Sequence, residues 1–164
     1  MKKYEFTGET KRVELWNRTA TLHRIKATVE FGFVKVGELG GWIEKEENLS
    51  HEGKAWVWGN AKVCGNAKVC GDAKVCGDAE VCGDAEVFLA SHVLVMGSVG
   101  SRNDFTTFFR DKDNEITVKC GCFLGKIDKF LEKVTQTHGN NKYALVYRAA
   151  VEVAKLQIEL TERK

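Results

Sequence analysis

Hydrophobic and polar positions alternate along the middle of the chain with a period of six. From Gly53 the sequence reads GKAWVW, GNAKVC, GNAKVC, GDAKVC, GDAEVC, GDAEVF up to Phe88. Ala recurs at the third place and Val at the fifth, two residues apart, so an extended backbone turns both to one inward face. Charged residues at the fourth place turn outward, and Gly followed by Asn or Asp suits a corner of positive φ. Each hexad therefore predicts one short strand and one corner. Units of this kind bury their inward face and satisfy their backbone only by stacking.

The charges indicate how many hexads close one layer, because residues one layer apart lie about 4.8 Å from each other. Within residues 53 to 88, pairs separated by 18 (Lys54/Asp72, Lys62/Glu80, Lys68/Glu86) are all opposite in sign. At a separation of 12 opposite and like pairs are equal in number, and at 6 like pairs dominate. Three hexads per layer follow. Ser91, Val93, Gly97 and Val99 keep the phase beyond the last hexad, and Leu49, Ile43 and Leu39 keep it before the first. The expectation is a mainly β fold, a parallel β-solenoid with 18-residue coils over residues 35–100, with an N-terminal β-hairpin cap (1–34) and a small C-terminal α+β domain (101–164).

For the caps, Arg12 to Leu15 and Thr21 to Phe31 read as strands about a turn at Trp16 to Thr19. Phe105 to Arg110 and Glu115 to Phe123 read as a second hairpin about Asp111 to Asn114. A helix over about 126–138 places Ile127, Phe130, Leu131 and Val134 on one stripe and stops at Gly139. A second, over about 140–160, carries two apolar arcs. Tyr143, Val146, Tyr147, Ala150, Val151, Ala154 and Ile158 form one; Leu145, Ala149, Val153, Leu156 and Leu160 form the other. The first can pack within the chain, and the second is expected to join subunits into a dimer or trimer.

The 164 residues carry a formal charge of +2, with signs mixed along most of the chain, which argues against non-specific nucleic-acid binding. No apolar run approaches the roughly 18 residues of a membrane helix, and Tyr4 to Arg12 is too polar for a secretory signal. A soluble, cytoplasmic protein is expected.

A triangular stack with 18-residue coils resembles the left-handed β-helix of hexapeptide-repeat proteins. The flanks sharpen the likeness. LGGWIEKEENLSHEG (Leu39 to Gly53), the GNAKV-type repeats (Gly59 to Val87), TTFFRDKDNEITVKCGCFLG (Thr106 to Gly125) and THGNNKYA (Thr137 to Ala144) together resemble small hexapeptide-repeat accessory proteins of phages and prophages in Gram-positive bacteria. The resemblance implies the left-handed sense of the coil and a protein acting in the cytoplasm of the bacterial host. It favours binding over catalysis.

Candidate chemistry is sparse. Cys64, Cys70, Cys76 and Cys82 share the sixth hexad place, but only Cys64 and Cys82 are one coil apart, so four thiolates do not converge on a metal. Packing is the reading for these thiols, with a Cys64/Cys82 disulfide relevant only outside a reducing cytosol. Cys120 and Cys122 with His138 would lack a fourth zinc ligand. No metal and no cofactor are expected. Many hexapeptide-repeat proteins are acyltransferases with a catalytic His between subunits, for which His51, His92 and His23 are the available bases. None stands in a diagnostic motif, and His92 falls on an outward place above Lys74, where solvent exposure is expected. No catalytic residue is assigned.

The remaining candidates form a ligand or partner surface: Trp56, outward by phase and paired with Lys74 as a possible cation-π contact, together with Trp58. Arg18, Arg24 and Lys26 belong to a positive N-terminal stretch that also holds Lys2, Lys3, Lys11 and Arg12. These residues point to a non-enzymatic, oligomeric binding protein. Its partner by resemblance is a host protein, plausibly of the immune response. The alternatives are a sponge holding a nucleotide signal between subunits and an acyltransferase.

Overall fold

The computed structural model describes residues 2–15 and 18–160; Trp16, placed in the first turn by the sequence pattern, lies outside them. The chain opens with a long antiparallel hairpin, β1 (Tyr4–Leu15) and β2 (Arg18–Ala27), followed by β3 (Leu39–Ile43). Six two-residue strands then come from the hexads: β4 (Trp56–Val57), β5 (Lys62–Val63), β6 (Lys68–Val69), β7 (Lys74–Val75), β8 (Glu80–Val81) and β9 (Glu86–Val87). The C-terminal part comprises β10 (Val93–Val99), β11 (Asp104–Arg110), β12 (Ile116–Cys120), β13 (Phe123–Lys126), α1 (Ile127–His138) and α2 (Lys142–Gln157).

The strands assort into four separate sheets, and this overturns the expected parallel β-solenoid. The largest is mixed and five-stranded, in the order β1-β2-β3-β5-β8; β10 to β13 make an antiparallel sheet; β4-β7 and β6-β9 are isolated parallel pairs. No continuous parallel helix runs through the described residues. The reason is local. Each hexad contributes only two strand residues, its remaining length being spent on the Gly-Asn or Gly-Asp corner. The antiparallel hairpin then claims one edge through β2–β3, with His23 opposite Ile43 and Arg24 opposite Trp42.

The 18-residue register itself is present. Trp56 pairs with Lys74, Lys62 with Glu80 and Lys68 with Glu86, all in parallel. Lys62 and Glu80 form an ion pair at 3.9 Å. Ahead of the first hexad the offset lengthens to 20, Trp42 pairing with Lys62, because the 3-10 turn Glu46–Asn48 intervenes. All six repeat alanines and all six repeat valines are buried, as the inward phase requires. Ile43 and Leu49 are also buried, whereas Leu39 is 47% exposed because it leads the chain in from the surface.

The hexad phase ends at Phe88. A second 3-10 turn, Ala90–His92, follows, and β10 leaves the parallel pairing to run antiparallel to β11, Val93 opposite Phe109. Ser91, Gly97 and Val99 accordingly do not continue the parallel pairing, while Val93 still packs against the core of repeat alanines and valines. The antiparallel sheet packs α1 and α2 against one face through Phe108, Val118, Phe130, Val134, Tyr147 and Val151.

Two glycines set how closely the layers approach. A Cβ on Gly71, which has φ +61°, would lie 2.8 Å from the Phe88 carbonyl oxygen, and one on Gly41 would lie 2.6 Å from that of Ala61.

The inward phase yields a direct test. Val75 has no exposure, so Val75→Asp places a carboxylate without a partner in the narrow interior, at a cost of several kcal/mol. Lys74 is exposed, and Lys74→Asp is expected to change stability by less than about 1 kcal/mol. Thermal melts in which both variants fell equally would refute the phase.

Candidate functional site

The surface expected to unite Trp56, Trp58, Lys74, Arg18, Arg24 and Lys26 is divided into separate places. Trp56 is fully buried rather than outward-facing: the hairpin and the following loop close over it, Tyr4 and Phe31 meeting its ring edge-on at 6.2 and 5.3 Å. Gly40 makes room, since a Cβ there would sit 2.6 Å from the indole. Lys74, opposite Trp56 in register, instead places its Nζ 5.8 Å from the centre of the Phe33 ring. Trp58 and Lys74 do share a pocket, with Phe33, Lys54 and Asp72. Phe33 stands 88% exposed at the tip of a tight turn in which Phe31 and Val34 exchange backbone hydrogen bonds at 3.1 and 2.8 Å.

Arg18 belongs to a different cleft of about 460 Å³, where the hairpin, the corners at Gly65 and Gly83, and Lys119, Cys122 and Leu124 of the C-terminal part meet. Its guanidinium grips Glu44 with both arms, at 2.7 and 2.9 Å. Glu44 also accepts the Gly65 N–H at 2.7 Å. The Arg18 hydrogen bonds outweigh burial and hold the Glu44 carboxyl below its ordinary pKa. Arg24 and Lys26 lie elsewhere on β2. Arg24 sits 5.7 Å over Trp42, and Lys26 faces Glu5 at 3.6 Å. Lys3 leaves the presumed positive face entirely. It is 3% exposed and donates to the Ala55 carbonyl at 2.7 Å, and burial lowers its pKa to about 8.

The histidines are engaged in packing and backbone hydrogen bonding. His51 Nδ1 accepts the Lys3 N–H at 3.0 Å and its ring stacks on Tyr4 at 4.1 Å, while His23 stacks on Phe6 at 4.5 Å. His92 is completely buried, contrary to the exposure expected from its place in the repeat. Its Nδ1 accepts the N–H groups of Phe88 and Leu89 at 3.1 and 3.2 Å. Asn48 does the same at the earlier 3-10 turn, its Oδ1 accepting from Glu44 and Lys45 at 3.1 and 2.8 Å. The residue one hexad ahead of the first repeats and the one just after the last are thus paired corner clamps. The sequence hint was present but faint: in ENLS and SHVL a polar residue directly precedes an inward apolar one, Leu49 or Val93.

Asp111, 2% exposed, also escaped the sequence reading. It organises the β11–β12 turn by accepting from Asp113, Glu115, Thr117 and Lys126. Burial raises its pKa, but these donors prevail and hold it below the usual carboxylate value. Cys120 accepts a hydrogen bond from Thr106 at 3.3 Å. Among the described residues, no group of three or more His, Cys, Asp or Glu side chains could hold a metal ion.

The two arcs of α2 separate as the helical wheel requires. Tyr147, Ala150, Val151, Ala154 and Ile158 are buried against the sheet and α1. Leu145, Ala149, Val153, Leu156 and Leu160 are exposed, Leu145 by 61% and Leu156 by 88%. No other part of the described chain covers this second arc. Among the described residues, no helix is long and apolar enough to cross a membrane. Compared with family models and with curated proteins, the chain matches none.

His92 provides a pH test. Burial, reinforced by the Arg110 charge, lowers its pKa from the ordinary imidazole value. The unfolded chain therefore takes up this proton at higher pH than the folded chain. Its contribution to stability is complete above about pH 6.5 and is lost as pH falls towards the lowered folded value. Denaturant titrations are expected to show stability dropping as the pH falls below about 6.5. His92→Asn, which can clamp as Asn48 does, should remove that step, and His92→Ala should lose roughly 1 to 3 kcal/mol at neutral pH. An unchanged step in the Asn variant would contradict the assignment.

Proposed function

We propose that the chain is a non-catalytic, oligomeric binding protein of a phage or prophage, acting in the cytoplasm of the bacterial host on a host protein of the immune response. The observation that carries the binding reading is the exposed arc of α2, where Leu145, Val153 and Leu156 stand in a row with 45% to 88% of their surface open, and Leu160, just past the end of the helix, is 43% exposed. Burial of a large apolar side chain is worth roughly 1.5 to 3 kcal/mol, which makes a second copy the natural cover. The partner class rests on the resemblance of the flanking motifs to phage accessory proteins. Engagement of His51 and His92 with backbone N–H groups supports binding over acyl transfer.

A second reading, a sponge for a nucleotide signal, draws support from the pocket of Phe33, Trp58, Lys54 and Lys74. It offers aromatic faces for a base and ammonium groups for phosphate.

Light scattering at micromolar concentration is expected to find a dimer or trimer, and the Leu145→Glu, Leu156→Glu double variant a folded monomer. A monomeric wild type would reject the interface. Purification from the native host, followed by mass spectrometry of bound proteins and of extracted small molecules, separates the two readings. A captured host protein lost on mutation of the binding surface supports inhibition, and a stoichiometric nucleotide supports the sponge.

A further inference from the structure

Four cysteines occupy the sixth hexad place, yet only one pair shares a register. Val63 lies opposite Val81, and the Cys64 N–H donates to the Val81 carbonyl at 3.0 Å. Cys82 therefore follows directly across from Cys64 on the neighbouring strand. Paired strands run about 4.8 Å apart, within the Cα separation of roughly 4.4 to 6.8 Å that a disulfide spans. By the same count Cys70 faces Phe88, and the position 18 residues after Cys76 is Leu94, beyond the end of the repeat, so neither is matched with a second cysteine.

The pair sits beneath the hairpin in a cluster with Ala20, Leu22 and Trp42, Cys64 4% and Cys82 2% exposed. Both thiols reach an opening: Cys82 lines the cleft of about 460 Å³ together with Arg18 and Lys119, and Cys64 lines a smaller pocket with Lys62 and Lys119. The neighbouring Cys64 thiol, aided by Lys119 and Arg18 against the effect of burial, lowers the Cys82 pKa. Cys64 is raised by the same partner and by burial, so it keeps its proton. The larger cleft, with the Arg18 and Lys119 charges on its wall, makes Cys82 the thiol that meets an incoming peroxide and Cys64 the adjacent thiol that resolves it.

We propose that Cys64 and Cys82 form a modification site for hydroperoxides, closing to a disulfide between neighbouring layers of the hexad segment. The Cys82 thiolate attacks one peroxide oxygen, the O–O bond breaks, and the departing oxygen leaves as water after taking a proton, giving Cys82 sulfenic acid. The Cys64 sulfur then attacks the Cys82 sulfur, the S–O bond breaks, and hydroxide departs with the Cys64 proton as a second water. Two thiols lose two electrons in total and hydrogen peroxide gains them. The site is independent of the α2 interface, and the function proposed above stands or falls separately.

The experiment treats the full-length protein with hydrogen peroxide at neutral pH, alkylates the remaining thiols with N-ethylmaleimide under denaturing conditions, and maps the peptides by mass spectrometry. The expected result is two fewer maleimide adducts than in the untreated protein, a Cys64–Cys82 link, and reversal by dithiothreitol. The oxidised form should melt roughly 5 to 10 °C higher, since the link closes a loop in the unfolded chain. In Cys64→Ser, dimedone should trap a sulfenic acid on Cys82, while Cys70→Ser should leave the link unchanged. A link from Cys82 to Cys76 or Cys122 instead, or retention of both thiols while other cysteines oxidise, would overturn the proposal. The wild-type map needs no variant to fold, so loss of folding in Cys64→Ser would not shield the proposal from refutation.

Discussion

Two inward side chains, one Ala and one Val, are all that a hexad can contribute to the interior, and neither can be hidden from water by the hexad that carries it. Stacking at a separation of 18 residues solves that problem, placing Val57 on Val75, Val63 on Val81 and Val69 on Val87. The same stacking supplies backbone partners, as when Lys62 donates to the Ala79 carbonyl and Lys68 to that of Ala85. Everything at the two ends follows from the groups this arrangement leaves open. The N-terminal hairpin takes the edge at β3, and the C-terminal sheet meets the last layer through the Ala85–Asp111 bridge and through Arg110, which donates to the Glu86 carbonyl at 2.8 Å.

Closing those ends consumes much of the polar chemistry that the sequence seemed to offer. Lys3, His51, His92, Arg110 and Asp111 are all spent on backbone groups or turns that would otherwise be buried without partners. The surfaces left over are of another kind: the outer arc of α2, the Phe33 tip beside Trp58 and Lys74, and the cleft beside Arg18. Two of these are apolar or aromatic.

The repeat phase and the spacing between layers were legible because they depend on a regular alternation of side chains and on the signs of charges a fixed distance apart. The two arcs of α2 were legible for a similar reason, since Leu145 and Tyr147 differ only in their angle about the helix. The sheet organisation was not, because strand pairing depends on which edge reaches another first, and the hairpin from Tyr4 to Ala27 captures β3 in an antiparallel sense. Trp56 and His92 were misplaced on the same account. Both stand at outward places of the repeat, but one is roofed by Tyr4, Phe31 and Gly40, and the other lies at a 3-10 turn where the period has already ended. Periodicity describes a residue's direction from its own strand and is silent about what later comes to lie over it.

The order of strands within each sheet carries a consequence for biosynthesis. The sequences β1-β2-β3-β5-β8, β4-β7, β6-β9 and β10-β11-β12-β13 each rise monotonically along the chain. Every strand is therefore laid against one that has already left the ribosome, and none waits for a neighbour still to be translated. A nascent chain can add layers as it emerges, with the hairpin as the first template. Within the hexads, the edge of each new strand waits for its partner only as long as it takes to make the next eighteen or so residues, about one to four seconds at ordinary translation rates.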